Sequence, residues 1–501
     1  MNGKFLCVAV AAMVTAGTFA AAVQDADPRR DWKVVYADAD GLCGKALAVL
    51  TEAVTARTGR DGGTTTSHVL PLERVGGEPV AKKHRFLVGV KGSVPEAEAF
   101  VPAADVPKGG YAVRTCCRGG TNTVAIVGDT PAAVLYGVFD FADVLIHEVV
   151  LKATADRNRA DRIFYRDAFF RLESLPEFAH RTAPETAVRS IFTWGHVIDD
   201  YRLFFREMAR SRLNRVILWN EYPPVNARDV VAEAHAWGIE VYWGFAWGWG
   251  TDCTEANVNE LGKLGDKVFA EWRRVWAPLP GDGIYFQSFT EFWGREELGG
   301  RLIAEAVTEL VNDVSRRIRA ERPGLPIVFG LHSGSVSKRL PLIERTDPSI
   351  EILWENCGGF PFWEGNEKPA TAFVDKILDS KRPVGLAWKA QLRQDWSCWA
   401  HQAGPYLLGC AGADVTRRDV ALAEELQGLY TEDWYESGRE AHALLRHIRG
   451  GAHPPAELNS VTEYNPPFAF STLAEAELFW SAAEDWEKVA RRVRFRARSR
   501  W

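Results

Sequence analysis

Residues 283–293 read GIYFQSFTEFW. Ile284, Phe286 and Phe289 are apolar, β-branched or aromatic residues fill most of the other places, and the run ends abruptly at Glu291. A continuous apolar run bounded by turn residues suits a strand buried on both faces, as a parallel sheet requires. A carboxylate at the C-terminal end of such a strand opens onto the face where (β/α)8 barrels place their chemistry. Taken alone, Glu291 is either a general acid or a group that caps or ion-pairs within the next loop. The rest of the chain has to decide between them.

Outward from that stretch, strand and helix alternate regularly from Arg189 onward. Strands are expected at 190–194, 215–220, 240–249, 283–292, 326–330, 350–355, 384–389 and 406–410. Helices fall between them. The segment 301–319 lines up Ile303, Val307, Leu310, Val314 and Ile318 on one face and stops at Pro323-Gly324. The segment 255–276 lines up Val258, Leu261, Val268, Trp272 and Trp276. Eight β-then-α units in series imply a closed parallel (β/α)8 barrel, a TIM barrel, rather than a doubly wound sheet, spanning residues 161–414.

In front of the barrel, residues 23–160 read as a small α/β domain. Strand patterns appear at 32–36, 85–90, 111–115 and 123–127, with a helix at 42–58. Asp129-Thr130-Pro131 is a helix start, a cap residue followed by Pro in the first turn. The helix it opens carries Val134, Leu135, Val138, Phe141, Ala142 and Leu145 at helical spacing. Residues 152–162 are polar and charged, as a linker would be. Behind the barrel, 415–501 reads as helical, at 419–430, 438–449 and 473–494. The final RRVRFRARSRW is expected to be a solvated basic tail.

Residues 1–22 have the form of a signal peptide: Lys4, an apolar core from Phe5 to Phe19, then Ala20-Ala21-Ala22. No later stretch reaches about 18 uninterrupted apolar residues, so the mature chain is expected to be secreted or periplasmic, with no membrane contact after cleavage. The net charge of -6 argues against a nucleic-acid partner, which calls for a basic face. No cofactor or metal is expected. There is no C-x-x-C and no H-E-x-x-H, and Gly248-Trp249-Gly250 does not open a helix as a phosphate loop must. Without Cys7, seven cysteines remain, an odd count that leaves at least one free thiol in a chain not cross-linked to another. Fourteen of the 19 tryptophans fall between Trp194 and Trp399, which marks one region for either dense core packing or sugar-stacking platforms.

The expected strand ends gather polar residues at one mouth: Trp194 and His196, Asn220 and Glu221, Trp249 and Asp252, Glu291, His332, Glu355 and Asn356, and Lys389. Trp219, Trp293, Trp354 and Trp388 lie beside them. Cleaving a glycosidic bond takes two carboxyl groups, one protonated near neutral pH and the other ionised. Glu291, between aromatic neighbours, suits the acid, because an apolar setting favours the neutral form. Glu355 suits the ionised partner, with Lys389 on the next strand to stabilise its charge. Glu221 is held in reserve, and Tyr222-Pro223-Pro224 behind it points to a substrate-positioning role. His196 and His332 either bond sugar hydroxyls or sit in solvated loops, while Asp252 is a hydroxyl ligand or a turn residue. The partner implied is an oligosaccharide or polysaccharide. A carbohydrate-binding barrel without turnover stays open as the other reading.

GGYAVRT (109–115) and TNTVAIVGDTPAAVLYGVFDFADVLI (121–146) resemble the end of the domain that precedes the barrel in α-glucuronidases of glycoside hydrolase family 67. Similar domains precede the barrels of β-hexosaminidases. The phrases REMARSRLNRVILWNEYPPV and VAEAHAWGIEVYWGFAWGW resemble the second and third units of such barrels. The resemblance implies an acid at the end of the fourth strand, which is Glu291, and a base from later strands, compatible with Glu355. It implies inversion, and a longer helical C-terminal domain than this chain has. The seventh strand departs from the family, offering Lys389 where a second base carboxylate is expected. Lys389 and Arg393 pair instead with a uronate carboxylate, or Arg393 makes a surface salt bridge. The hexosaminidase mechanism needs an Asp directly before the acid, and this chain has Thr290 there.

Overall fold

The computed structural model of the chain describes residues 31–56, 70–146, 175–193, 198, 200–219, 222–248, 254–289, 295–331, 339–355, 375, 377–389, 409, 434–436, 438–461 and 470–498. The first part is a six-stranded mixed sheet built from β1 (Trp32–Tyr36), β2 (Leu72–Arg74), β3 (His84–Val90), β4 (Tyr111–Arg118), β5 (Thr121–Gly128) and β6 (Phe178–Thr182). Its order is β2-β1-β3-β5-β4-β6, with β4 antiparallel to both neighbours. Helix α1 (Gly41–Ala56) and helix α2 (Pro131–Asp140) cover one face. The Thr130 hydroxyl accepts from the Ala133 amide and Pro131 opens the first turn, so α2 starts where the sequence places it. On the other face, Val94, Ala97, Phe100, Val101 and Val106 pack against Val35, Leu87, Ala112 and Val127.

Two short edge strands fall outside the expected pattern. LER (β2) has no apolar run, and FAHRT (β6) alternates half-buried with exposed residues. β6 lies beyond residue 160, so the sheet domain extends past its expected boundary. The linker reading at 152–162 concerns residues outside those described.

The second part is a closed barrel of β7 (Val188–Phe192), β8 (Arg215–Trp219), β9 (Glu240–Ala246), β10 (Gly283–Gln287), β13 (Ile327–Leu331), β14 (Ile350–Glu355), β15 (Val384–Lys389) and β16 (Glu457–Val461). A two-residue hairpin, β11 (Glu297–Leu298) with β12 (Arg301–Leu302), lies between β10 and β13. Every barrel pairing is parallel. All five residues of β8, β10 and β13 are buried, as strands with one face in the barrel and one under helices must be. Alternation sorts them: Ile217, Trp219, Tyr285 and Val328 fill the interior, while Val216, Leu218, Ile284 and Phe286 join the core under the helices.

Between the strands run α3 (Tyr201–Arg210), α4 (Ala227–Ala236), α5 (Leu261–Glu271) and α6 (Ile303–Glu321). Asp200 caps α3 by accepting from the Arg202 and Leu203 amides. The buried face of α6 includes the five apolar residues its sequence aligns. The expected helix at 255–276 is broken at Glu260 and ends in a π-turn at Trp272–Trp276.

The eighth strand is a correction to the sequence reading. Gly409 is the only described residue of 406–410 and stands in a turn, while Glu457–Val461 closes the barrel between β15 and β7. The barrel therefore runs past residue 414. ELNSV is polar at three of its five positions and so lacks the apolar-run signal. Glu457 and Asn459 point inward, where Glu457 receives the Ser190 hydroxyl and an Arg215 Nη1 contact at 2.7 Å, while Ser460 faces Glu475 on the helix side. Arg215 also reaches Glu240 and Glu351 at 2.9 and 3.0 Å, a charged plug at the N-terminal end of the barrel.

Residues 415–501 are therefore not purely helical. Beyond β16 the chain forms α7 (Phe470–Trp480) and α8 (Trp486–Arg498), two helices where the sequence reading has one. The basic stretch is not a solvated tail either, because Arg492 and Arg496 are buried. Arg496 donates to Glu477 of α7, and both arginines donate to Asp140 of α2. The last helix thus ties the barrel to the first domain.

Glu475 of α7 is also buried, beside β16. Burial raises its carboxyl well above the usual range and outweighs the Ser460 hydroxyl. The folded protein therefore keeps a proton that the unfolded chain releases above its own pKa of about 4.3. Stability falls as pH rises from there toward the folded value. Glu475→Gln is expected to stabilise the protein by about 1–3 kcal/mol at pH 7–8. The difference from the parent should fade near pH 4 in denaturant titrations run across pH.

Candidate active site

The C-terminal ends of the barrel strands form the face from which the expected site residues extend. Trp194 and His196 follow β7, Asn220 and Glu221 follow β8, and Trp249 and Asp252 follow β9. Thr290, Glu291 and Trp293 follow β10, His332 follows β13, and Asn356 follows β14. Lys389 is the last residue of β15 and Arg393 lies beyond it. Apart from the backbone of Lys389, all of these lie outside the described residues. Glu355 is the expected site residue whose side chain the structure describes.

Glu355 closes β14 and is 1% exposed. Its parity along the strand is that of Leu353, an interior residue, so the carboxylate lies inside the barrel near the mouth. The Tyr285 hydroxyl donates to Glu355 Oε1. The Gln287 amide donates to the same oxygen at 2.6 Å and to the Tyr285 oxygen at 3.0 Å. Each amide hydrogen and the phenol hydrogen thus has an acceptor, and the three side chains form a closed ring of hydrogen bonds. Two donors converging on one oxygen suit a carboxylate that only accepts. The Tyr285 ring is itself packed, with centroids 4.9 Å from Phe192 and 5.7 Å from Trp219.

Glycines make room for this interior. Trp219 lies across Gly244, Tyr242 across Gly283 and Leu353 across Gly385, each directly opposite its partner in the strand register. A β-carbon at Gly244 or Gly385 would come within 2.9 Å of the facing side chain. Tyr285 breaks the pattern. It stands opposite Val328, and its hydroxyl passes over Gly330, one interior step nearer the mouth. That displacement brings it to Glu355, two strands away.

Tyr285 and Gln287 are absent from the sequence-derived site, though both lie in the stretch that decides the fold. The signal was there in the parity: 283, 285 and 287 face inward, and a Gln within an otherwise apolar strand needs a buried partner. The tryptophans lean to the packing reading. Trp219 fills the barrel interior, and Trp237, Trp243, Trp247, Trp272, Trp276, Trp354 and Trp388 lie in the core under the helices. Trp194, Trp249 and Trp293 are outside the described residues. Among the described residues, Cys43, Cys116 and Cys117 are free thiols.

Residues 72–141 match a family model described as the glycosyl hydrolase family 67 N-terminus. The match runs from β2 to the residue after α2. No curated protein matches the chain in sequence. Solved structures that align with it include a mutant β-hexosaminidase of Streptomyces plicatus in complex with the product GlcNAc. That alignment has 12% identity and a TM-score of 0.48, and covers 93% of this chain and 90% of the other. A GH20 exo-β-N-acetylglucosaminidase of Vibrio harveyi, in complex with N-acetylglucosamine, aligns at 11% identity with a TM-score of 0.47, covering 92% and 72%. The GH89 protein of Clostridium perfringens, in complex with GlcNAc-α-1,4-galactose, aligns at 9% identity with a TM-score of 0.44, covering 91% and 51%.

Proposed function

We propose that the chain is an exported glycosidase that cleaves polysaccharide-derived oligosaccharides, uronic-acid-containing ones among them, by paired carboxyl catalysis. One observation carries the reading: a buried carboxylate, Glu355, held by two donors at the end of a barrel strand on the face where such barrels do chemistry. The family 67 match in front of the barrel supports the choice of reaction.

Glu355 is the ionised member and Glu291 the proton donor. Inverting pairs sit roughly 6.5–9.5 Å apart, with a water between them and the sugar. Inversion is the outcome proposed, on the family 67 resemblance alone. Thr290 in place of an Asp argues against acetamido participation, so a hexosaminidase mechanism is not the one proposed. Lys389 and Arg393 are assigned to a uronate carboxylate.

Glu291→Gln tests the reading. Aryl glycosides and aldouronic oligomers are screened for turnover, and binding is measured by calorimetry. Turnover should fall about 10²- to 10⁴-fold, the usual share of a general acid, while binding persists. A parent protein that binds these sugars and turns none over would be a carbohydrate-binding barrel instead.

A further inference from the structure

Glu355 has no covalent reason to hold one position, since a glutamate has three rotatable bonds. The barrel supplies the constraint in three parts. Phe192 and Trp219 fix the Tyr285 ring, Gly330 leaves the space its hydroxyl crosses, and Gln287 ties the hydroxyl and the carboxylate together. The other glycine gaps beside Trp219, Tyr242 and Leu353 serve side chains directly opposite, as plain filling would. The gap at Gly330 is offset toward the mouth and serves a hydrogen bond. Tyr285 has Gly244 opposite on β9 and Val328 opposite on β13, and the hydroxyl it carries past Gly330 ends on Glu355.

We propose that Tyr285 and Gln287 are positioning residues, holding Glu355 as an accepting carboxylate through their ring of hydrogen bonds, with Gly330 as the opening that lets Tyr285 reach it. This rests on the reading of Glu355 as the charged partner in catalysis. Preorganised donors of this kind stabilise the ionised carboxylate and fix its direction before substrate arrives. Removing one should make Glu355 easier to protonate and less well aimed, without touching the substrate's own contacts.

The experiment uses Tyr285→Phe, which keeps the packed ring, and Gln287→Met, which keeps the length of the side chain. Infrared difference spectra across pH, with Glu355→Gln as the reference, isolate the Glu355 carboxyl band. Its titration midpoint should move up by about one pH unit in each variant that folds, the effect of losing one charge-assisted hydrogen bond. On the best aryl glycoside, kcat should fall about 10- to 100-fold with KM within about twofold. The acidic limb of the rate profile should move with the infrared midpoint. A midpoint that stays put in both variants overturns the assignment, whatever happens to turnover. Full turnover in Glu355→Gln would instead overturn the catalytic reading of Glu355, so the two failures are told apart.

Discussion

Glu355→Gln is expected to lower kcat about 10²- to 10⁴-fold while leaving the fold and KM nearly unchanged. Glutamine has the shape of glutamate, and its carbonyl can still accept from the Tyr285 hydroxyl and the Gln287 amide. What it lacks is basicity. An amide in the same place cannot take a proton from an attacking water, so the loss should fall on the chemical step rather than on binding. Steady-state kinetics with aryl glycosides and aldouronic oligomers, alongside unfolding curves for both proteins, provide the check. Parent-like kcat would remove Glu355 from the reaction and with it the paired-carboxyl mechanism.

The outline of the barrel was legible because parallel strands buried on both faces leave runs such as GIYFQ and IVFGL, which periodicity detects. The closing strand escaped the same test. ELNSV carries Glu457, Asn459 and Ser460, and its stability comes from partners far away in sequence: Arg215 and Ser190 for Glu457, and Ser190 again for Asn459. Residues whose burial depends on such partners look like loop until the partners are known. The basic C-terminus misled for the same reason. Charge patterning counts Arg492 and Arg496 as solvated, whereas acids more than 300 residues earlier and within α7 draw them inside. Within the candidate site, a strand-end rule finds Glu355 but not Tyr285, since the rule looks past the strand rather than along its inner face.

The buried ion cluster is where the largest loss of stability is expected. Asp140 is fully buried and accepts from Arg492 at 2.8 and 3.0 Å and from Arg496 at 2.6 Å. Glu477 takes Arg212 at 2.7 Å and Arg492 at 3.0 Å, together with Arg496. Asp140→Ala would leave three arginines facing one carboxylate in a dry interior. A cost of about 3–5 kcal/mol follows, the usual result of stranding buried charge. The loss should appear as a lower denaturation midpoint with β6, α2 and α8 exchanging amide hydrogens together. The same cluster sets a pH dependence. His180 lies 3.6 Å from Asp140, yet burial and the nearby arginines push its pKa down to about 4. Below its unfolded value of about 6.5 the unfolded chain takes up a proton that the folded protein refuses, so stability should fall between pH 6.5 and 4. The arginines hold Asp140 below the usual carboxylate range, so its contribution is intact above about pH 3.9 and lost as pH falls further. His180→Gln should flatten the decline between pH 6.5 and 4 and leave the steeper loss below it. A slope unchanged by His180→Gln would place the acid sensitivity elsewhere and weaken the case that this cluster locks the last helix to the first domain.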